Sequence, residues 1–93
     1  MIQSFKDALT RQLWETGKHK KVDPRVLKSA TKKLQMLDAA SSLEELRVPP
    51  SNELKLLEGD RDGQHRIKVN LQWRLCFDWT PQGPENVEFC DYH

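Results

Sequence analysis

Long apolar runs are missing from this chain. Nothing approaches the ~18–20 consecutive apolar residues that a membrane-crossing helix requires, and the opening MIQSFKDALTRQ puts Lys6, Asp7 and Arg11 where a secretory signal needs its apolar stretch. Cysteine is scarce: Cys76 and Cys90 are the only two, too few for a disulfide framework and without metal-ligand spacing, so the expectation is reduced thiols in a cytoplasmic protein. Glycine is scarce as well, with four residues, none in a Walker loop, a GxSxG elbow or a GxGxxG turn. Internal repeats, low-complexity tracts and linkers are absent. A net excess of charge is also missing: 15 Lys+Arg against 14 Asp+Glu leave +1, which argues against a free-standing DNA-coating protein. At 93 residues the chain is expected to be one domain over 1–93, with a core drawn from nearly every large apolar residue, so any site should be a surface groove and not a deep cavity.

What is present is charge unevenly spread. Residues 1–50 hold ten basic and six acidic side chains, and 51–93 hold five and eight. The segment KHKKVDPRVLKSATKK over 18–33 carries seven Lys/Arg against Asp23, a local potential able to attract a polyphosphate through Lys18, Lys20, Lys21, Lys28, Lys32 and Lys33. The plainer reading is a solvated helix face.

The first half reads as helical. Ala8, Leu9, Leu13 and Trp14 fall at helical spacing, and Gly17 follows as a stop, predicting a first helix over about Lys6 to Thr16. Ile2 to Phe5 read either as a short strand or as the entry to that helix. Asp23 as N-cap and Pro24 at the first helical position open a second helix, whose stripe is Val26, Leu27, Ala30, Leu34, Leu37 and Ala40. A shorter helix is expected at Ser42 to Leu46, with Ser42 and Glu45 spaced as a capping box, before Pro49-Pro50 ends regular structure.

The second half changes period. In IKVNLQWRLCFDW (67–79) every odd position is apolar and every even one polar or Cys, the pattern of a strand pair with one wet face. A three-residue loop at Asn70-Leu71-Gln72 keeps Val69 opposite Trp73 and preserves the apolar face, whereas a two-residue loop breaks it. TPQGPEN reads as a turn, Val87 and Phe89 as the last strand, and Leu54 to Leu57 as a possible further strand before a turn at GDRDG. The expected fold class is α+β, with N-terminal helices packed on one face of a small antiparallel sheet.

In this register Lys68 lies across from Arg74 and Arg66 across from Cys76. Like charges directly opposite are destabilising, which calls for a reason. Keeping Phe89 beside Phe77 on the core face predicts Arg74 opposite Tyr92, with Asp91 and His93 adjacent and Cys76 and Cys90 as cross-strand neighbours able to meet the geometry of a disulfide. Arg74 and Lys68, a cationic pair beside a phenol and an imidazole, suggest an anion site with proton-transfer groups near it. The plainer alternative is a sheet face made soluble by Arg and Lys. Trp14, Trp73 and Trp79 read as packing residues, and His19 and His65 stand apart from each other and from Cys, so no metal site is expected.

MIQSF, PPSNELKLLEGDRDGQHRIKVNLQWRLCF and NVEFCDYH together resemble the HigB-type toxins of the RelE/ParE superfamily, including the GraT-like branch, over nearly the whole chain. The resemblance implies a microbial ribonuclease-like fold and ribosome-dependent, metal-independent endonuclease cleavage of mRNA in the 30S A site, with no cofactor. It also implies a cognate helix-turn-helix antitoxin of the HigA type, with operator DNA bound only through that antitoxin and no membrane partner. Carried over by residue, Arg74 matches the arginine that stabilises the transition-state phosphate, and Asp91, Tyr92 and His93 match the terminal residues implicated in catalysis. Lys55 stands where some members have a catalytic histidine, and Glu58 where many have a lysine, which predicts a weaker or more ribosome-dependent enzyme. Lys68, Arg66 and the basic stretch Lys18 to Lys33 would then contact RNA, the latter 16S rRNA. The rival reading on the same fold is a non-enzymatic, gyrase-directed toxin like the ParE branch, and a plain interaction domain is the third.

Overall fold

A computed structural model describes residues 1–91. Helix α1 spans Ala8–Thr16; its N-cap Asp7 accepts a hydrogen bond from the Thr10 amide at 2.8 Å, and Gly17 closes it in the left-handed region with φ 74°. Helix α2 spans Pro24–Ala39 with Asp23 as N-cap and Pro24 in the first turn, as its start signals predict. Ala30, Leu34, Leu37 and Ala40 of the predicted stripe are buried, while Val26 and Leu27 pack at its margin. The predicted short helix is a 3-10 turn over Leu43–Arg47. The capping box does not form there: the Ser42 side chain makes no cap bond, and the Glu45 carboxylate accepts from the Ser41 amide at 3.1 Å.

Four antiparallel strands follow, in the spatial order β1-β2-β3-β4: β1 Lys55–Leu56, β2 His65–Lys68, β3 Trp73–Thr80 and β4 Gly83–Asp91. The first hairpin has the register expected from parity, with Lys68 opposite Arg74 and Arg66 opposite Cys76, and the Val69 amide donates to the Trp73 carbonyl at 3.0 Å. The second differs. Leu75 pairs with Phe89 and Arg74 with Cys90, so Arg74 does not stand across from Tyr92, and Cys76 faces Glu88 instead of Cys90. Parity forbids a one-residue slip but not a two-residue one, since either choice keeps odd positions on the core. TPQGPEN is not all turn: the chain reverses at Pro81-Gln82, β4 begins at Gly83, and an irregularity between Cys76 and Asp78, with Asn86 at φ 53°, shifts the register. Gly83 is required at that corner. Its φ is 130°, and a Cβ there would strike the Met1 carbonyl oxygen.

The odd residues Ile67, Leu75, Phe77, Val87 and Phe89 meet Leu13, Leu34, Leu37 and Leu46 in one core. Trp14, Trp73 and Trp79 pack at its edge, and the Trp73 ring stacks on Phe89 at 4.5 Å. The N-terminal segment runs beside β4: Phe5 bridges Val87 in parallel, and the Lys6 amide donates to the Val87 carbonyl at 3.0 Å. The helices thus cover one face of the sheet and leave the other, with the even residues, for the site.

Candidate functional site

The even face is not the wet surface that alternation suggests. Arg66, Arg74 and Cys76 are 9%, 7% and 4% exposed, and the β1–β2 connection stands beside them. Leu57 and Arg61 from that connection join Arg66, Arg74, Cys76, Cys90 and Asp91 in lining a groove of about 190 Å³. A neighbouring groove of about 280 Å³ is lined by Lys55, Leu56, Leu57, Glu58 and Arg66. The two share Leu57 and Arg66, so they form one path across β1, β2 and β3. Lys55 is exposed and pairs in register with Arg66.

Each cation is held in place differently. The Arg74 guanidinium donates through one nitrogen to the carbonyls of Asn70 and, at 3.1 Å, Trp73. Asn70 in turn caps the hairpin loop, its Oδ1 accepting from the amides of Gln72 and Trp73 at 2.8 Å each. The side chain is thereby fixed by the loop that parity predicts. Lys68 donates to Glu53 at 3.1 Å, which holds the Glu53 carboxyl below its ordinary range. Arg61 donates to Glu88 at 2.7 Å and to Gln64 at 3.3 Å, and the Glu88 bond secures its charge. Asp91 has the parity of the core face, opposite Trp73, yet it lines the groove at the sheet margin and its carboxylate accepts from Gln72 at 3.3 Å.

The structure therefore brings together Arg74, Arg66, Asp91 and, one groove along, Lys55, with Lys68 beside Arg74 in the ladder. Tyr92 and His93 lie outside the described residues. The basic segment is elsewhere. Lys18, Lys20 and Lys21 precede α2, and Lys28 and Lys32 lie on its exposed side, beside a separate depression with Gly17, Leu27, Thr31 and Gln35. α2 packs on the opposite face of the sheet from the groove, so the core separates the two clusters. Lys33 belongs to neither: its ammonium donates to the buried Asn52 side chain at 2.5 Å, and burial lowers its pKa. Arg61 is the groove residue that sequence reasoning misses, since GDRDG reads only as a turn. The available signal is topological: a turn joining two antiparallel strands overhangs one of their faces, and here it is the cationic one.

A face that converges buried guanidinium groups on a shallow groove suits a phosphate diester more than a small neutral substrate. Residues 3–93 match the family described as the RelE-like toxin of type II toxin-antitoxin system HigB. The chain is 40% identical over 81 residues to Toxin HigB-1 of Vibrio cholerae, covering 86% of this chain and 85% of that one. It is 31% identical to the Endoribonuclease HigB of Proteus vulgaris over the full length of both. Its fold is similar to the YoeB-YefM complex from Staphylococcus aureus, with a TM-score of 0.62 and 13% identity over 100% of this chain and 98% of that one. This chain belongs to the HigB family of RelE-like toxins of type II toxin–antitoxin systems.

Proposed function

We propose that this toxin is a cytoplasmic, ribosome-dependent endoribonuclease that cuts mRNA in the ribosomal A site, and that a helix-turn-helix antitoxin neutralises it. The observation that carries the reading is the convergence of Arg66 and Arg74, both more than nine-tenths buried, on one groove of the helix-free sheet face. The name of the Proteus vulgaris relative supports the activity.

In the proposed reaction a ribose 2′-oxygen attacks its own 3′-phosphorus and the 5′-oxygen leaves, giving a cyclic phosphate and a 5′-hydroxyl. The phosphorane gains negative charge, which Arg74 and Arg66 stabilise from positions fixed before the substrate arrives. Asp91, Tyr92 and His93 supply the groups that accept the 2′-proton and return one to the leaving oxygen. Lys55 and Lys68 hold flanking phosphates. The reaction uses no metal or cofactor. Glu58 sits in the groove with Lys55 and weakens its potential, so the ribosome must position the message. The exposed Lys18, Lys20, Lys21, Lys28 and Lys32, on the far side of the sheet, serve as a salt-sensitive contact with 16S rRNA.

Inducing the protein without its antitoxin, beside an Arg74→Ala control, and mapping new mRNA 5′ ends tests this. Cuts confined to translated frames and lost in the control are expected. Growth arrest without cuts would overturn the ribonuclease reading in favour of a binding toxin on the same fold.

A further inference from the structure

Two thiols in the floor of the groove have no part in this chemistry. Cys76 on β3 and Cys90 on β4 are both free and both line the groove with Arg61, Arg66 and Arg74. Since Cys76 pairs with Glu88 and Arg74 with Cys90, the two cysteines are diagonal neighbours on one face. The Cys90 thiol donates to the Cys76 sulfur at 3.0 Å. That bond favours the thiolate at Cys76 and opposes it at Cys90; burial works against ionisation of both, and at Cys76 the Arg61 and Arg66 guanidinium groups favour the thiolate while the Glu88 carboxylate across the ladder opposes it. A thiolate beside arginines, with a second thiol in contact, is the arrangement of a nucleophilic and a resolving cysteine.

We propose that Cys76 and Cys90 are an oxidative modification site, at which a peroxide converts the pair to a disulfide and switches the groove off. The Cys76 thiolate attacks one peroxide oxygen, the O–O bond breaks, and the departing hydroxide takes a proton to become water. The resulting sulfenic acid is attacked by the Cys90 sulfur, which loses its proton as the S–O bond breaks and a second water leaves. Two thiols are oxidised by two electrons and one peroxide is reduced to two waters.

The loss of activity rests on the ribonuclease reading above. Closing the sulfurs from 3.0 Å to about 2.05 Å between diagonal neighbours turns both side chains and shears the ladder between them, a local displacement of up to about 1 Å. Cys90 stands opposite Arg74 and directly precedes Asp91, so the shift falls on groups that this reading aligns with the phosphate. A displacement of that size costs on the order of a hundredfold in rate.

The test treats purified full-length toxin with hydrogen peroxide and follows intact mass, peptide map and cleavage of mRNA on programmed ribosomes. The expected result is a mass lower by two hydrogens, a peptide joining Cys76 to Cys90, and cleavage reduced about a hundredfold, all reversed by dithiothreitol. In Cys90→Ser the mass should instead rise by one oxygen, because the sulfenic acid has no resolving thiol. Thiols that stay reduced, or gain oxygens without crosslinking, would overturn the site. A crosslinked toxin that cuts as fast as the reduced one would overturn the switch. If the reduced toxin cuts nothing, the ribonuclease reading fails and the switch with it, while the mass and peptide map still decide whether the modification site exists.

Discussion

Lys68 and Arg74 face each other across the β2–β3 ladder, two cations in directly opposed positions, and each is drawn aside by a different partner. Lys68 reaches Glu53 at 3.1 Å, and Arg74 turns to the hairpin carbonyls of Asn70 and Trp73. A like-charged pair that chain packing does not require is a cost to the fold. Its compensation is local, and under the proposed function its use is for a phosphate.

If Lys68 contacts phosphate as proposed, Glu53 competes with the RNA for it. Glu53→Gln should release Lys68, tighten RNA binding a few-fold at low salt, and steepen the dependence of log K on log salt by about one unit, as one more phosphate is neutralised. Fluorescence anisotropy with a short single-stranded RNA across a salt series measures both. An unchanged slope would mean that Lys68 does not reach the RNA.

Arg74 should not tolerate lysine. The guanidinium can bond the hairpin carbonyls through one nitrogen and still present other donors to a phosphate, whereas an ammonium offers a single point of charge. Arg74→Lys should lower mRNA cleavage by about 10²–10³-fold, the scale of losing one transition-state donor, with the denaturation midpoint close to that of the parent. Near-parental cleavage would show that charge alone suffices and that Arg74 orients nothing.

How far these residues could be read from sequence depends on what parity can decide. Val69 opposite Trp73 follows from the apolar alternation, because the competing two-residue loop would bury Gln72. The β3–β4 register does not follow: pairing Phe89 with Phe77 or with Leu75 leaves the core face equally apolar, and the observed choice depends on a turn at Pro81-Gln82 and an irregularity near Asn86 that sequence patterns do not locate. Alternation therefore places Arg74 on its strand and opposite Lys68, but gives it Tyr92 in place of Cys90 across β4. The burial of Arg66 and Arg74, in a groove that Leu57 and Arg61 of the β1–β2 connection also line, is tertiary and strand alternation does not encode it. Lys33 shows the same limit from the other side: it reads as one more cation of a basic run but is committed to Asn52.

Thr10 ties α1 to the strand that carries Cys90 and Asp91. Its hydroxyl, fully buried, accepts the Phe89 amide at 2.9 Å on the outer edge of β4, two residues beyond the Val87 that Phe5 bridges. Thr10→Val keeps the shape but leaves that amide unsatisfied, which should cost about 1–3 kcal/mol, while Thr10→Ser should recover most of it. Thermal unfolding of the three proteins measures this, at roughly 4–8 °C per kcal/mol for a domain of this size. Equal stability of the valine and parent proteins would show that the Phe89 amide finds another acceptor.

His65 should make the fold sensitive to mild acid. Its ring stacks on Phe77 with centroids 6.3 Å apart, and among the described residues its buried Nδ1 has no hydrogen-bond partner. Burial, with a smaller contribution from the Arg47 charge, lowers its pKa from the ordinary value of 6.5. The sign follows from proton binding. Between the lowered folded pKa and the ordinary unfolded one, the unfolded chain holds more protons, so stability rises with pH across that window and is lost as pH falls through it. His65→Phe keeps a ring on Phe77 and removes the titration, so its urea midpoint should fall less than the parent's between roughly pH 7.5 and 5. The carboxylates contribute equally to both proteins and cancel in the difference. Parallel curves for the two would show that His65 is charged as readily in the folded chain as in the unfolded one, and that its burial places no constraint on the sheet.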